Sequence, residues 1–255
     1  MKQAVLKERR RETRKMQRQN NVAKKRLLWE SLSEEERAEH KAAAKEAKEA
    51  KELEEERLRR VLSEREHTQA LNVCIDLGFE NEHSEKEKRS LCKQLQLTYS
   101  VLKRSAVPIR LHVCSLGQLS TTLLLFLRAQ GLESWPFEKQ NDAPYDIWPK
   151  SSIVLLSPDA VDVVSSFDDD KVYVIGGIVD RTVRKAATLG RGESEQVRTM
   201  RLPIPEYLGR GAILNIDTVV QIICRHRETG GDWARTLSET VPLRRGGCAA
   251  PNTAI

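Results

Sequence analysis

The chain has 255 residues, with 43 Lys and Arg against 37 Asp and Glu, a formal net charge of +6, and five cysteines. No stretch approaches the ~20 continuous apolar residues of a membrane helix, so no membrane partner is expected. The cysteines show no Cys-x-x-Cys pairing and join no histidine at ligand spacing, so no metal is expected and they read as reduced core residues of an intracellular protein.

The charge is uneven. Met1 to Trp29 carry 11 basic residues against 2 acidic, residues 30–70 carry 9 against 13, and the rest of the chain is nearly balanced at 23 against 22. Residues 1–29 therefore form a basic arm, disordered or helical, that suits a polyanion through phosphate contacts; a solvated tail is the other reading. The first residues carry charge with no apolar run after it, so no secretory signal is expected.

Residues 30–70 are rich in Glu, Lys, Arg, Ala and Leu. Ser33 followed by Glu36 reads as a capping box that opens a long, solvated, charged helix over 34–66. From Leu71 to about 247 the pattern becomes globular. Strands are predicted at 72–77, 109–114, 153–156 and 172–176. Helices are predicted at 84–104, 119–130, 215–227 and 232–240, with a short helix between Asp159 and the strand at 172, a surface loop over 131–150 and a tail over 248–255. Strands alternating with helices imply an α/β fold with a parallel sheet covered on both faces. His112 reads as a strand-face residue.

Ligands of an open parallel sheet sit beyond the carboxyl ends of its strands. Three loops qualify: 156–160, 176–185 and 200–206. The run Val172 to Asp180 is the most telling, because a β-rich strand ends in Gly176-Gly177 and then delivers one carboxylate. The glycines offer bare backbone to a ligand or turn a tight corner. Asp180 brings a carboxylate to the same place as that backbone, or caps the following turn, or pairs with Arg181 or Arg184. No Gly-x-Gly-x-x-Gly fingerprint, Walker loop or Gly-x-Ser-x-Gly elbow is present, so dinucleotide, P-loop and serine-hydrolase readings fail.

In order and spacing, these segments resemble the tRNA (purine-9) N1-methyltransferases of the SPOUT class, the Trm10 type. Tyr173 to Asp180 resembles the family signature, and Leu156-Ser157-Pro158-Asp159 its first cofactor loop. Lys185 and Thr188 fall in its Lys-Gly-Leu-Thr run. Leu202-Pro203-Ile204 and Ile213 to Val219 resemble later elements, and Asp232-Trp233 and Pro242 to Gly247 resemble the ending. Val73 to Asp76 resembles the opening strand. The chain departs from the family at Asp217, where Asn is usual, at Gln196, where Gly is common, and in a loop after Pro205 that is about two residues short.

The resemblance implies a SPOUT fold with a C-terminal trefoil knot over residues 71–247, preceded by the basic arm and charged helix. It implies methylation of N1 of the purine at position 9 of tRNA, guanine ahead of adenine, with S-adenosyl-L-methionine as cofactor. Cofactor contacts carry over to Leu156, Ser157, Gly176, Gly177, Arg181, Met200, Leu202, Leu214, Asn215 and Thr218, and the general base to Asp180. RNA contacts are expected at Arg9, Arg10, Arg11, Lys24, Lys25, Arg26, Lys185, Arg244 and Arg245. The resemblance further implies a monomer, working in the nucleus or cytoplasm with the mitochondrion left open. The alternative is an inactive tRNA- or RNA-binding protein that keeps the fold.

Overall fold

The computed structural model describes residues 2–65, 70–179, 187–209, 211 and 214–241. The basic arm is helical: α1 runs Lys2–Ser31, and α2 runs Glu34–Arg65. The corner between them is built by side chains that satisfy helix ends. The Ser33 amide donates to Glu36 Oε2 at 2.8 Å and the Glu36 amide to Ser33 Oγ at 3.2 Å, which is the capping box. Arg37 donates to the carbonyls of Trp29 and Glu30, at 2.9 and 2.7 Å, at the end of α1. The chain divides into two units, Met1–Arg57 and Leu58–Ile255.

In the second unit six strands form one sheet: β1 (Leu71–Asp76), β2 (Ile109–Cys114), β3 (Glu138–Lys139), β4 (Ile153–Leu156), β5 (Val172–Gly176) and β6 (Arg198–Met200). Their order is β3-β2-β1-β5-β4-β6, and every pairing is parallel. From β1 the chain builds outwards to β2 and β3. It then crosses to β4 and returns to insert β5 between β4 and β1. That reversal is the kind of switch point at which ligands bind.

Parallel strands covered on both faces need apolar residues at nearly every position. On one face Val73 and Ile75 pack with α3 (Glu85–Arg104), α4 (Thr121–Ala129) and α8 (Ile216–Glu228) through Leu91, Leu95, Leu123, Leu127, Val220 and Ile223. On the other, Cys74, Cys114, Leu155, Val172 and Val174 pack with Tyr145 of α5 (Pro144–Ile147) and with Val197. Helices α6 (Ala187–Glu195), α7 (Ile204–Leu208) and α9 (Trp233–Thr240) complete the order. The short β3 and α5 fall in the predicted surface loop 131–150, and β6 begins ahead of the predicted loop 200–206. The short helix expected after Asp159 is absent, residues 157–171 forming turns and bends. Strands of two or three residues with exposed or half-buried side chains, and a single four-residue turn of helix, carry no periodicity to read.

Cys74, Cys92, Cys114 and Cys224 are free and buried; Cys248 lies outside the described residues. His112 is buried in β2, with Nε2 3.1 Å from Asn72 Oδ1 and its ring edge-on to Trp148. Among the described residues no helix is long and apolar enough to cross a membrane, and no cluster of metal-ligating side chains occurs.

Candidate active site at the carboxyl edge of the sheet

The register aligns the strand ends. Leu156 stands beside Ile175 and Met200, and Gly176 beside Asp76. The loops beyond are stitched by backbone hydrogen bonds. The Ser157 amide donates to Met200 O at 2.9 Å, Arg201 N to Asp162 O at 2.8 Å, and Val164 N to Arg201 O at 2.9 Å. Leu156 and Leu202 are each buried to 8% exposure, with Met200 and Leu214 half-buried against the same core cluster. The ends of β4 and β6 and the residue just past β6 thus bring apolar side chains to one edge, the lining that a flat heterocycle needs.

Asn215 is the N-cap of α8, yet its side chain makes no cap bond. Gln94 of α3 satisfies part of that helix end instead, its Oε1 accepting the Ile216 amide at 2.9 Å. An Asn whose amide is released from its usual capping work, next to Leu214, suits a polar group on a ligand. Thr218 follows in the first turn, half-buried. Asp217 Oδ1 is buried without a hydrogen-bond partner, and burial pushes its carboxyl up from the ordinary value. These residues fit an adenosyl cofactor with an amino-acid tail.

Gly177 has a reason to be glycine that needs no ligand. A Cβ there would lie 2.6 Å from the Asp76 carbonyl oxygen and 3.0 Å from Leu77 Cδ2. A Cβ on Gly176 would meet Thr188 Oγ1 at 3.1 Å and Phe79 at 3.4 Å. The close approach of β1 and of its following turn therefore accounts for the second glycine by packing alone.

Asp76, at the end of β1, is a buried carboxylate. Its Oδ1 accepts Ser115 Oγ–H at 2.6 Å and the Gly78 amide at 2.9 Å, while Oδ2 is buried with no hydrogen-bond partner. Tyr145 faces it, and burial first, then the Asp76 charge, push the phenol far upwards, so it stays protonated. Arg191 of α6 closes the group, donating to Gly78 O at 3.2 Å and stacking over Phe79. His83 also reaches this edge, its Nε2 accepting the Val179 amide at 3.0 Å. Sequence reasoning placed Asp76 only in the opening strand and assigned no role to His83, Tyr145 or Arg191. Contacts across the sheet leave no local pattern to find.

The structure thus brings Leu156, Ser157, Gly176, Gly177, Met200 and Leu202 to one edge, with Leu214, Asn215 and Thr218 at the start of α8. Asp180, Arg181, Lys185, Arg244 and Arg245 lie outside the described residues, as do the side chains of Arg9, Arg10, Arg11 and Lys25. Lys24 and Arg26 are exposed on α1, and Arg26 pairs with Glu30 at 2.7 Å.

Comparison with known proteins shows which family the chain resembles over its length. A family model described as tRNA (guanine(9)-N(1))-methyltransferase TRM10/TRM10A matches residues 5–246. The tRNA methyltransferase 10 homolog B of Danio rerio is 27% identical over 252 residues, 90% of this chain and 80% of that protein. The tRNA (guanine(9)-N1)-methyltransferase of Schizosaccharomyces pombe is 27% identical over 183 residues, 69% of this chain and 60% of its own length. Among solved structures, the full-length spTrm10–SAH complex superposes with a TM-score of 0.61 at 26% identity, covering 68% of this chain and 95% of that one. A dual-specific Trm10 from Thermococcus kodakaraensis shares the fold, with a TM-score of 0.55 at 22% identity, over 67% of this chain and 99% of that chain. The match across nearly the whole chain, over a parallel sheet whose carboxyl edge suits an adenosyl group, places this chain in the tRNA (guanine(9)-N(1))-methyltransferase TRM10/TRM10A family.

Proposed function

We propose that this chain methylates N1 of guanine at position 9 of tRNA, with S-adenosyl-L-methionine as donor. The observation that supports it most is the pairing of Leu156 with Met200 at the ends of β4 and β6, with Leu202 just beyond, at the carboxyl edge of a sheet whose strand order reverses where β5 inserts beside β1. When bound there, the cofactor supplies an electrophilic methyl group on positively charged sulfur. The apolar residues cover its base, while Ser157, Asn215 and Thr218 offer polar groups; Gly176, Gly177 and Arg181 complete the set that the resemblance implies. The trefoil threading of the last strands belongs to the same reading.

Guanine N1 bears a proton at neutral pH, so N–C bond formation needs an acceptor for it. Asp180, next in the chain after Val179, is the carboxylate to which we assign that role. Adenine N1 offers a lone pair and needs no base, so a carboxylate at this point favours guanine. Position 9 lies in the folded tRNA core, so its base must leave the stack to be reached. Arg9, Arg10, Arg11, Lys24, Lys25, Arg26, Lys185, Arg244 and Arg245 are the side chains we assign to holding the phosphates meanwhile. The enzyme works as a monomer in this reading.

The test is incubation of the full chain and cofactor with unmodified tRNAs carrying guanine or adenine at position 9, followed by mapping of modified nucleosides. We expect 1-methylguanine at position 9. Salt-dependent tRNA binding with no methylation of either transcript would replace this reading with that of an RNA-binding protein.

A further inference from the structure

Beyond Gly176 the chain still needs hydrogen-bond acceptors on the side facing β1. In extended backbone, the amides of alternate residues point the same way. The Gly177 amide finds the last one that β1 offers, donating to Asp76 O at 2.7 Å. Two residues on, the Val179 amide points to the same side, but β1 has already turned away at Leu77 and Gly78. His83 fills that place. The chain passes through the 3-10 turn Glu80–Glu82 and returns the ring so that Nε2 accepts the Val179 amide at 3.0 Å.

We propose that His83 is a positioning residue for methyl transfer, a side-chain acceptor that extends the β1–β5 ladder by one rung and so holds the segment that carries Asp180. The inference rests on the methyltransferase reading above. A backbone amide can only donate, so the bond needs an unprotonated Nε2 and places the ring proton on Nδ1. Protonating the imidazole puts a second N–H against the Val179 amide and opens the rung. The hold on the Asp180 segment is therefore pH-dependent.

Charged groups on the flanking elements have partners of their own. Glu80, whose carbonyl accepts the His83 amide at 2.9 Å, is held by Lys88 at 2.8 Å and by Ser120. Glu87 closes the capping box on Ser84, and Glu85 lies within 3.6 Å of Lys88. From β1 comes Asp76, bonded to Ser115, and from α6 comes Arg191, on Gly78 O. Asp180, Arg181, Arg184 and Lys185 follow Val179 in the chain.

The test compares His83→Gln and His83→Phe in the full chain. Gln places an oxygen near the position of Nε2 and does not titrate; Phe keeps the ring volume and offers no acceptor. We expect His83→Phe to lower kcat for methylation of guanine-9 tRNA about fivefold near neutral pH, the factor of one lost hydrogen bond. Its melting temperature should fall only by the few degrees that one hydrogen bond accounts for, and its SAH affinity by calorimetry should remain close to that of the parent. His83→Gln should keep the parental rate near neutral pH and decline less steeply than the parent as the pH is lowered, because an amide does not titrate. Parental kcat and pH profile in His83→Phe, or equal losses in both variants, would overturn the proposal. A parent chain that methylates no tRNA would instead remove the methyltransferase reading on which it rests.

Discussion

The Gly177 amide donates to the Asp76 carbonyl at 2.7 Å, and that same oxygen lies 2.6 Å from where a Gly177 side chain would begin. One atom of β1 thus both holds the turn after β5 and bars any residue larger than glycine from it. Gly177→Ala would push two main chains apart, since no flexible side chain can give way. We expect a loss of about 1–3 kcal/mol in urea unfolding, with weaker SAH binding. Gly190, in α6 with nothing near its missing Cβ, is the control. Gly190→Ala should gain about 0.5–1 kcal/mol from helix propensity.

Gln196 has φ 54, the left-handed region, at the point where α6 turns into β6. That is where the family resemblance expects glycine. Gln196→Gly should raise stability by about 1 kcal/mol, read as a higher melting temperature. Ser115 shares the conformation at φ 64, but its hydroxyl is the donor to Asp76 Oδ1. Ser115→Gly should therefore be destabilising despite the same backbone relief, and the opposite signs of the two variants are the measurement.

Two buried histidines make the protein acid-sensitive. Burial, and then the Arg110 charge, lower the His112 pKa from 6.5 to about 4. Burial, then Arg227, lower that of His226, whose ring packs against both Phe167 and Trp233 with both nitrogens lacking a hydrogen-bond partner. A base with a depressed folded pKa binds fewer protons folded than unfolded. Its contribution is whole above the unfolded value and is lost as pH falls towards the folded one. For His112 the window from 6.5 to about 4 corresponds to about 3 kcal/mol. His112→Leu should flatten the dependence of unfolding free energy on pH in that window; an equally steep curve would contradict the assignment.

Asp180→Asn should slow guanine methylation by roughly 10²-fold or more if the carboxylate takes the N1 proton. Cofactor binding by calorimetry should survive. On an adenine-9 transcript any residual activity should be unaffected, because that nitrogen has no proton to lose.

Deleting residues 1–29 removes 11 basic residues and 2 acidic ones. We expect weaker tRNA binding and a shallower fall of affinity with salt. The far-ultraviolet melting transition of the remaining chain should be retained. Affinity and salt slope equal to the parent's would take the arm out of RNA recognition.

Much of this architecture was legible in the chain. Helix α3 was predicted because Leu91, Leu95, Tyr99 and Leu102 recur on one helical face; the long strands were predicted as β-rich apolar runs. The segments around Leu156, Gly176 and Leu202 were singled out because strand ends of a parallel sheet are where ligands meet bare backbone. Strand β6 leaves no such mark, because its three residues bury little.

Composition and periodicity determined the class of fold, the charge of the arm and the positions of the three loops. These are properties of neighbours within one turn or one strand, and local physics writes them into local sequence. The tertiary structure decided that β5 lies between β1 and β4. It decided that Gly177 is demanded by a carbonyl from a strand a hundred residues earlier. It also decided that His83 supplies the acceptor for an amide 96 residues away. Such pairs depend on how a buried sheet closes and on which polar groups its strand ends leave unpaired, and no pattern along the chain records them.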